Sequence, residues 1–203
     1  YPRVLDMGCG NGHMTMILAD RFPDYRLLGV DFSEDMLAIA KERELPSVTF
    51  MFGDVRSLEY EDEYFDAVYT QRCLINILDE ASQVSAAHEI GRVLKEGGFY
   101  LMLEAFTDGL AELNKARQEC DLEPISEAHH NRYIDKQVFF PALQEVFNLI
   151  SPTDLDLDRG AYLMPSNFLS SHYFISRVFY PFIAKGNWKR NTEFAKFFSF
   201  LPP

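Results

Sequence analysis

A short apolar run, Val4-Leu5-Asp6-Met7, leads straight into Gly8-Cys9-Gly10-Asn11-Gly12, and a helical pattern over residues 13–21 comes immediately after. This order of strand, glycine turn and helix restricts the fold more than any other stretch of the sequence. Glycines lack Cβ and accept positive φ, so the turn lets backbone approach a ligand closely, while the helix start offers unpaired N–H groups. A purely structural turn uses the same residue types. The turn therefore gains its meaning from the residues downstream of it.

Downstream, short apolar runs alternate with helical patterns. Residues 4–7, 27–31, 48–52, 65–70 and 99–104 read as strands, with a weaker sixth at about 149–157, and helical patterns fill the gaps at 13–21, 34–43 and 81–94. Gly97 and Gly98 read as the stop signal of the third helix. Such alternation predicts βαβ units and an α/β, doubly wound, mainly parallel sheet. After the fifth strand, Leu110, Leu113, Ala116, Arg117 and Cys120 suggest another helix and residues 135–147 a further one, with a polar loop at 126–133 between them. Phe168, Phe174, Ile175, Val178, Phe179 and Phe182 recur at near-helical spacing. The organisation expected is a ligand-binding core over 1–157 with a helical insertion at about 108–147. An aromatic-rich extension of the same domain, 158–203, would cover an acceptor site. The chain runs from Tyr1 to Pro202-Pro203, so further sequence, including a final strand, is expected on either side.

With 203 residues, 47% of them hydrophobic, the chain can bury one sizeable core. Its 31 acidic against 19 basic residues give a formal net charge of −12, a repulsive average field for a polyanion, so nucleic acid is a disfavoured partner. Cys9, Cys73 and Cys120 show no CxxC spacing and fit neither a disulfide framework nor a thiolate zinc site, which makes a reducing cytosol the simplest setting. No apolar run approaches the roughly 18 residues that span a bilayer.

The acids sharpen the reading. In the dinucleotide fingerprint the third glycine falls three positions after the second, which here is His13, so the spacing departs from that of a NAD site. Asp6, two residues before Gly8, would repel a pyrophosphate and attract a cation. S-adenosylmethionine, with an α-ammonium and a sulfonium, is such a ligand. Asp31 stands 19 residues beyond Gly12, near the roughly 20-residue spacing at which an acid reaches ribose hydroxyls, although a charge at the start of a helix capped by Ser33 would look alike. Phe52-Gly53-Asp54-Val55 places another acid at a strand end, suited to an adenine amino group or to plain turn chemistry.

The stretches VLDMGCGNG, LLGVDFSEDML, VTFMFGDVRSL, FDAVYTQRCL and EIGRVLKEGGFYLMLE resemble, in order, the motifs of class I S-adenosylmethionine-dependent methyltransferases, over residues 3–104. The resemblance implies a Rossmann-like sheet with the cofactor across the strands' carboxyl ends. It implies that Asp6, Gly8 and Gly10, with Cys9, hold the methionine part, and that Asp31 takes the ribose. It puts Phe32 and Val55 on the adenine faces, with Met36 and Gly53 alongside, and Asp54 on the adenine amino group. Gln71 and Arg72 would line the methyl-donor end.

Methyl transfer from an activated donor mainly needs alignment, with a base as an aid. Candidates for that work come after the fourth and fifth strands. Glu104 could orient an acceptor or stand as a plain strand-end carboxylate. His129-His130-Asn131-Arg132-Tyr133 offers His130 as base, Asn131 for hydrogen bonding and the Tyr133 phenol, though a polar surface loop has the same composition. Asn114 and Arg117, on the helix preceding that loop, resemble the substrate-side residues of a bacterial methyltransferase subgroup. The function expected is methyl transfer to a small molecule or glycan building block. The Asn/Asp-Pro-Pro-aromatic run of adenine and glutamine N-methylases is absent after the fourth strand, where Gln71-Arg72-Cys73-Leu74 stands. A non-catalytic cofactor-binding module is the alternative, since fold does not settle function, and a NAD-dependent oxidoreductase, disfavoured by His13 at the third-glycine position, is a further one. No metal requirement is expected. Oligomeric state is not legible.

Overall fold

The structure, a computed structural model, describes residues 1–43 and 46–148. Strands β1 (Arg3–Met7), β2 (Arg26–Asp31), β3 (Val48–Phe52), β4 (Phe65–Gln71) and β5 (Leu94–Leu103) alternate with helices α1 (His13–Arg21), α2 (Glu34–Lys41) and α3 (Glu80–Val93). A 3-10 turn, Leu74–Asn76, comes after β4; α4 (Thr107–Glu119) and α5 (Lys136–Val146) come after β5. The strands form one sheet in the order β3-β2-β1-β4-β5, every pairing parallel. Chain order reverses between β1 and β4, and such a switch point opens a crevice at the carboxyl ends of the strands.

The central strands read as apolar runs because both their faces are covered. Leu5 and Met7 of β1, Leu27 and Val30 of β2 and Phe65 and Val68 of β4 are all buried. Register sets Asp6 between Gly29 and Tyr69, and Met7 between Val30 and Thr70. Helices α1 and α2 pack on β2 and β3, while α3 packs on β5 and α5. Their starts are capped where the sequence supplies an acceptor: Ser33 takes the Met36 N–H, Asp79 the Ser82 N–H and Asp135 the Gln137 N–H.

The glycine pair at 97–98 corrects one expectation. Helix α3 stops at Val93, and the chain enters β5 at once. Pairing begins at Phe65↔Leu94 and resumes at Ala67↔Phe99, so residues 95–98 bulge out of the ladder, with Gly97 at φ +74°. A glycine run after a helical pattern reads as a helix stop; here it makes a strand irregularity. The expected sixth strand and the 158–203 extension, with its aromatic segment, lie outside the described residues.

Among the described residues, Tyr1–Ala105 with Ala128–Phe147 form one compact unit, and Phe106–Glu127 fall into a second. Helix α5 falls in the first unit and α4 in the second. No helix among the described residues is long and apolar enough to cross a membrane.

Candidate functional site

The glycine loop folds back on the end of β2. The N–H groups of Gly8 and Cys9 both donate to the Val30 carbonyl, at 2.7 and 3.1 Å, and the Gly10 N–H donates to Asp31 Oδ2 at 2.7 Å. Gly8 (φ +78°) and Gly10 (φ +53°) occupy the left-handed region. A Cβ on Gly8 would lie 2.7 Å from the Cys73 Cβ, whereas one on Gly10 would meet nothing within 4 Å. One side of the loop is therefore packed against the turn after β4 and the other is open. Gly12 and Gly29 leave the space that the Phe50 ring fills, which locks the loop to the sheet.

Each acid read from the sequence already has a protein partner. Asp31 divides its carboxylate between the N–H groups of Gly10 and Ser33 (2.7 and 2.8 Å), leaving a second lone pair on each oxygen for a diol. Asp6, expected at the mouth of the loop, is 2% exposed and accepts from the Thr15 hydroxyl at 2.6 Å. Burial pushes its pKa up to about 6, partly offset by Thr15 and reinforced by the charge of Asp31. Asp54 accepts from the Arg56 side chain and backbone, and that guanidinium holds its carboxyl below the usual range. The Gly53 N–H donates to the Asp31 carbonyl. Burial pushes the Cys9 thiol upward.

Val55 is buried, while Phe32 and Phe52 stand exposed at the ends of β2 and β3 with ring centroids 5.4 Å apart. Met36, in the first turn of α2, is exposed beside Phe32 in sequence. Phe52 has no role of its own in the sequence reading, although it is the last residue of an apolar strand.

After β4 the chain turns sharply. Tyr69 donates its phenol to Gln71 Oε1 at 2.9 Å. Arg72 sits at φ +55°, its N–H on the Leu103 carbonyl and its carbonyl on Asn76 Nδ2. Glu104 Oε1 accepts from the N–H groups of Cys73 and Leu74 (3.0 and 3.2 Å) and Oε2 from Ile75 (3.3 Å), so its carboxylate caps the 3-10 turn. Burial raises its pKa, against the pull of those three N–H groups.

The loop carrying the candidate base is tied to this turn. The Arg132 N–H donates to the Ile75 carbonyl at 2.7 Å and the Ile134 N–H to the Ala105 carbonyl at 2.9 Å. Gln83 Nε2, buried on α3, reaches the carbonyls of Leu74, Ile77 and Arg132. His129 and His130 are both exposed, their rings edge-on at 5.0 Å. Asn131 Oδ1 is buried and has no hydrogen-bond partner among the described residues. Tyr133 lies between them and Ile134, half-buried. In the second unit, Asn114 binds both backbone groups of Ile125 at 2.8 Å and Arg117 Nε reaches the Glu123 carbonyl, so both brace the loop after α4. Among the described residues no group of three or more His, Cys, Asp or Glu side chains converges as a metal site would.

Residues 4–98 match the methyltransferase domain family. The chain is 36% identical over 108 residues to a demethylmenaquinone methyltransferase of Symbiobacterium thermophilum, covering 50% of this chain and 42% of that protein. Over 72 residues it is 43% identical to a trans-aconitate 2-methyltransferase of Variovorax paradoxus, covering 36% of this chain and 27% of that one. It thus spans less than half the length of these relatives. Its fold is similar to that of an S-adenosylmethionine-dependent methyltransferase from Methanosarcina mazei, with a TM-score of 0.57 at 20% identity over 71% of this chain and 78% of the other.

Proposed function

We propose that the chain is a class I S-adenosylmethionine-dependent methyltransferase, as the match of residues 4–98 to the methyltransferase domain family supports, and that it transfers the methyl group of S-adenosylmethionine to a small-molecule acceptor. The observation that carries the reading is the open side of the Gly8–Gly10 turn beside the Asp31 carboxylate: backbone that a ligand can approach, next to acceptors for a ribose diol. The donor set suits the cofactor, with carboxylates for cationic groups and exposed Phe32 and Phe52 for a purine face.

When bound, the cofactor supplies an electrophilic methyl on a sulfonium. In this reading Asp31 takes the ribose hydroxyls, Asp6 supplies negative potential from beneath the loop, and the Gln71–Cys73 turn borders the donor end. Asp54 reaches the adenine amino group with the lone pairs that Arg56 leaves. His130 takes the acceptor's proton where one must leave, and Asn131 Oδ1, buried and unpaired, receives a donor from the acceptor. A small-molecule acceptor is supported by the names of the two relatives, both enzymes of small molecules.

Calorimetric titration tests the cofactor assignment. S-adenosylmethionine is expected to bind and NAD not to, with Asp31→Ala weakening the former by about tenfold or more, the cost of losing charge-assisted hydrogen bonds. A folded chain that binds NAD, or neither ligand, overturns the reading.

A further inference from the structure

Four carboxylates cluster at the carboxyl ends of β1, β2, β3 and β5, and all are engaged: Asp6 by Thr15, Asp31 by two N–H groups, Asp54 by Arg56 and Glu104 by three N–H groups. In the same region Arg72 is exposed, and its guanidinium has neither an ion pair nor a hydrogen bond among the described residues. Arg56, Arg92 and Arg132 each hold a carboxylate, whereas Arg72 stands in the same region as four carboxylates that other groups already engage.

The backbone around Arg72 is built to present a side chain. Its φ of +55° would suit glycine at no cost, and an arginine there is strained. Hydrogen bonds from both neighbours hold it: Arg72 N–H to the Leu103 carbonyl at 2.9 Å, and Asn76 Nδ2 to the Arg72 carbonyl at 2.7 Å. The next residue, Cys73, packs against Gly8, which sets this turn directly on the glycine loop. On the other side, Gln71 is exposed and its Oε1 is taken by the Tyr69 phenol. Burial pushes that phenol up to about 12, with Asp6 and Glu104 adding to the effect, so it stays a donor. The Gln71 NH₂ is thereby left to donate elsewhere. Consecutive residues thus offer an amide NH₂ and a planar guanidinium fork, all donors and no acceptor, the pairing that a carboxylate meets bidentately.

We propose that Arg72, assisted by the Gln71 amide, binds a carboxylate of the acceptor, so that the methyl acceptor is a carboxylic acid seated at the end of β4. The proposal rests on the methyltransferase reading above. The same chemistry could be met by the cofactor's own α-carboxylate, and the experiment separates the two sources.

S-adenosylhomocysteine is titrated into the wild-type chain by calorimetry. The loaded protein is then titrated with fumarate, citrate, trans-aconitate and benzoate and with their methyl esters. At least one acid is expected to bind while its ester does not. Arg72→Met should weaken that acid about tenfold or more, as loss of a charge-assisted pair does, and by a clearly larger factor than any change in the S-adenosylhomocysteine Kd. Arg72→Gly, which relieves the backbone strain, should reproduce the loss in a chain at least as stable, and Arg72→Lys should recover part of it. Equal binding of acids and esters, or of none of them, overturns the proposal while the methyltransferase reading stands. An Arg72→Met loss that falls on S-adenosylhomocysteine as heavily as on the acid assigns the guanidinium to the cofactor and overturns it too. Failure of S-adenosylhomocysteine to bind the wild-type chain removes the underlying reading as well.

Discussion

Beneath the glycine loop, the Asp6 carboxylate carries its charge almost out of reach of water, and the Thr15 hydroxyl offsets part of that cost. Burial, with the nearby Asp31 charge, lifts its pKa to about 6, above the roughly 3.9 of an unfolded aspartate. The folded chain therefore holds this proton more tightly than the unfolded one. Its contribution to stability is full below about pH 4 and is lost as pH rises through about 6, an effect on the order of 3 kcal/mol at neutral pH. Asp6→Asn keeps an acceptor for Thr15 and removes the charge. Thermal unfolding monitored by circular dichroism should give the variant the higher Tm at about pH 7.5, by several degrees, with the gap closing near pH 4. A gap independent of pH would show that the charge is not the cause. At this scale the sequence was partly legible. The motif positions of Asp6, Asp31 and the glycines could be read from spacing, but not which groups had been spent on the protein itself. Glu104 reads as a strand-end carboxylate, and only the fold turns three N–H groups of the 3-10 turn back upon it. The burial of Val55 and the exposure of Phe52 are illegible for a similar reason: a motif gives the position of a strand end, not the side its residues face.

Elements meet at Gln83. From α3 its amide spans the turn after β4, through the carbonyls of Leu74 and Ile77, and the candidate base loop, through the carbonyl of Arg132. Replacing it with leucine, of similar size, would strand the carbonyls of Ile77 and Arg132, while that of Leu74 keeps the Ile77 N–H. A loss of about 2–3 kcal/mol is expected, since buried acceptors left unsatisfied carry that kind of penalty. Because no hydrogen bond of Gln83 reaches the glycine loop or Asp31, Gln83→Leu should leave S-adenosylmethionine affinity within about threefold while lowering the denaturation midpoint, a separation that calorimetry and urea unfolding measure together. An equal loss in both would mean that the turn after β4 holds the cofactor through Gln83. The helices and strands themselves were largely legible, because buried parallel strands announce themselves as apolar runs and Ser33, Asp79 and Asp135 stand at helix starts. Gly97 and Gly98 misled because a helix stop and a strand bulge both need glycine, and local sequence does not say which ladder resumes after it.

Across the whole molecule, the net charge of −12 bears differently on the two forms of the proposed cofactor. S-adenosylmethionine carries one net positive charge near neutral pH, and the demethylated product carries none, because the sulfonium is lost with the methyl group. An acidic chain with its carboxylates gathered at the strands' carboxyl ends therefore attracts the donor by long-range field as well as contact, and the product by contact alone. Methyl transfer would remove the long-range part of the attraction, which eases product release without any change in the protein. Raising ionic strength from about 0.02 M to about 0.3 M shortens the screening length from roughly 20 Å to roughly 6 Å. The Kd of S-adenosylmethionine should then rise several-fold while that of S-adenosylhomocysteine stays nearly constant, so that the preference for donor over product narrows as salt is added. Calorimetric titration of both ligands across that range measures the two slopes, and parallel slopes would mean that discrimination rests on contacts at the sulfur alone.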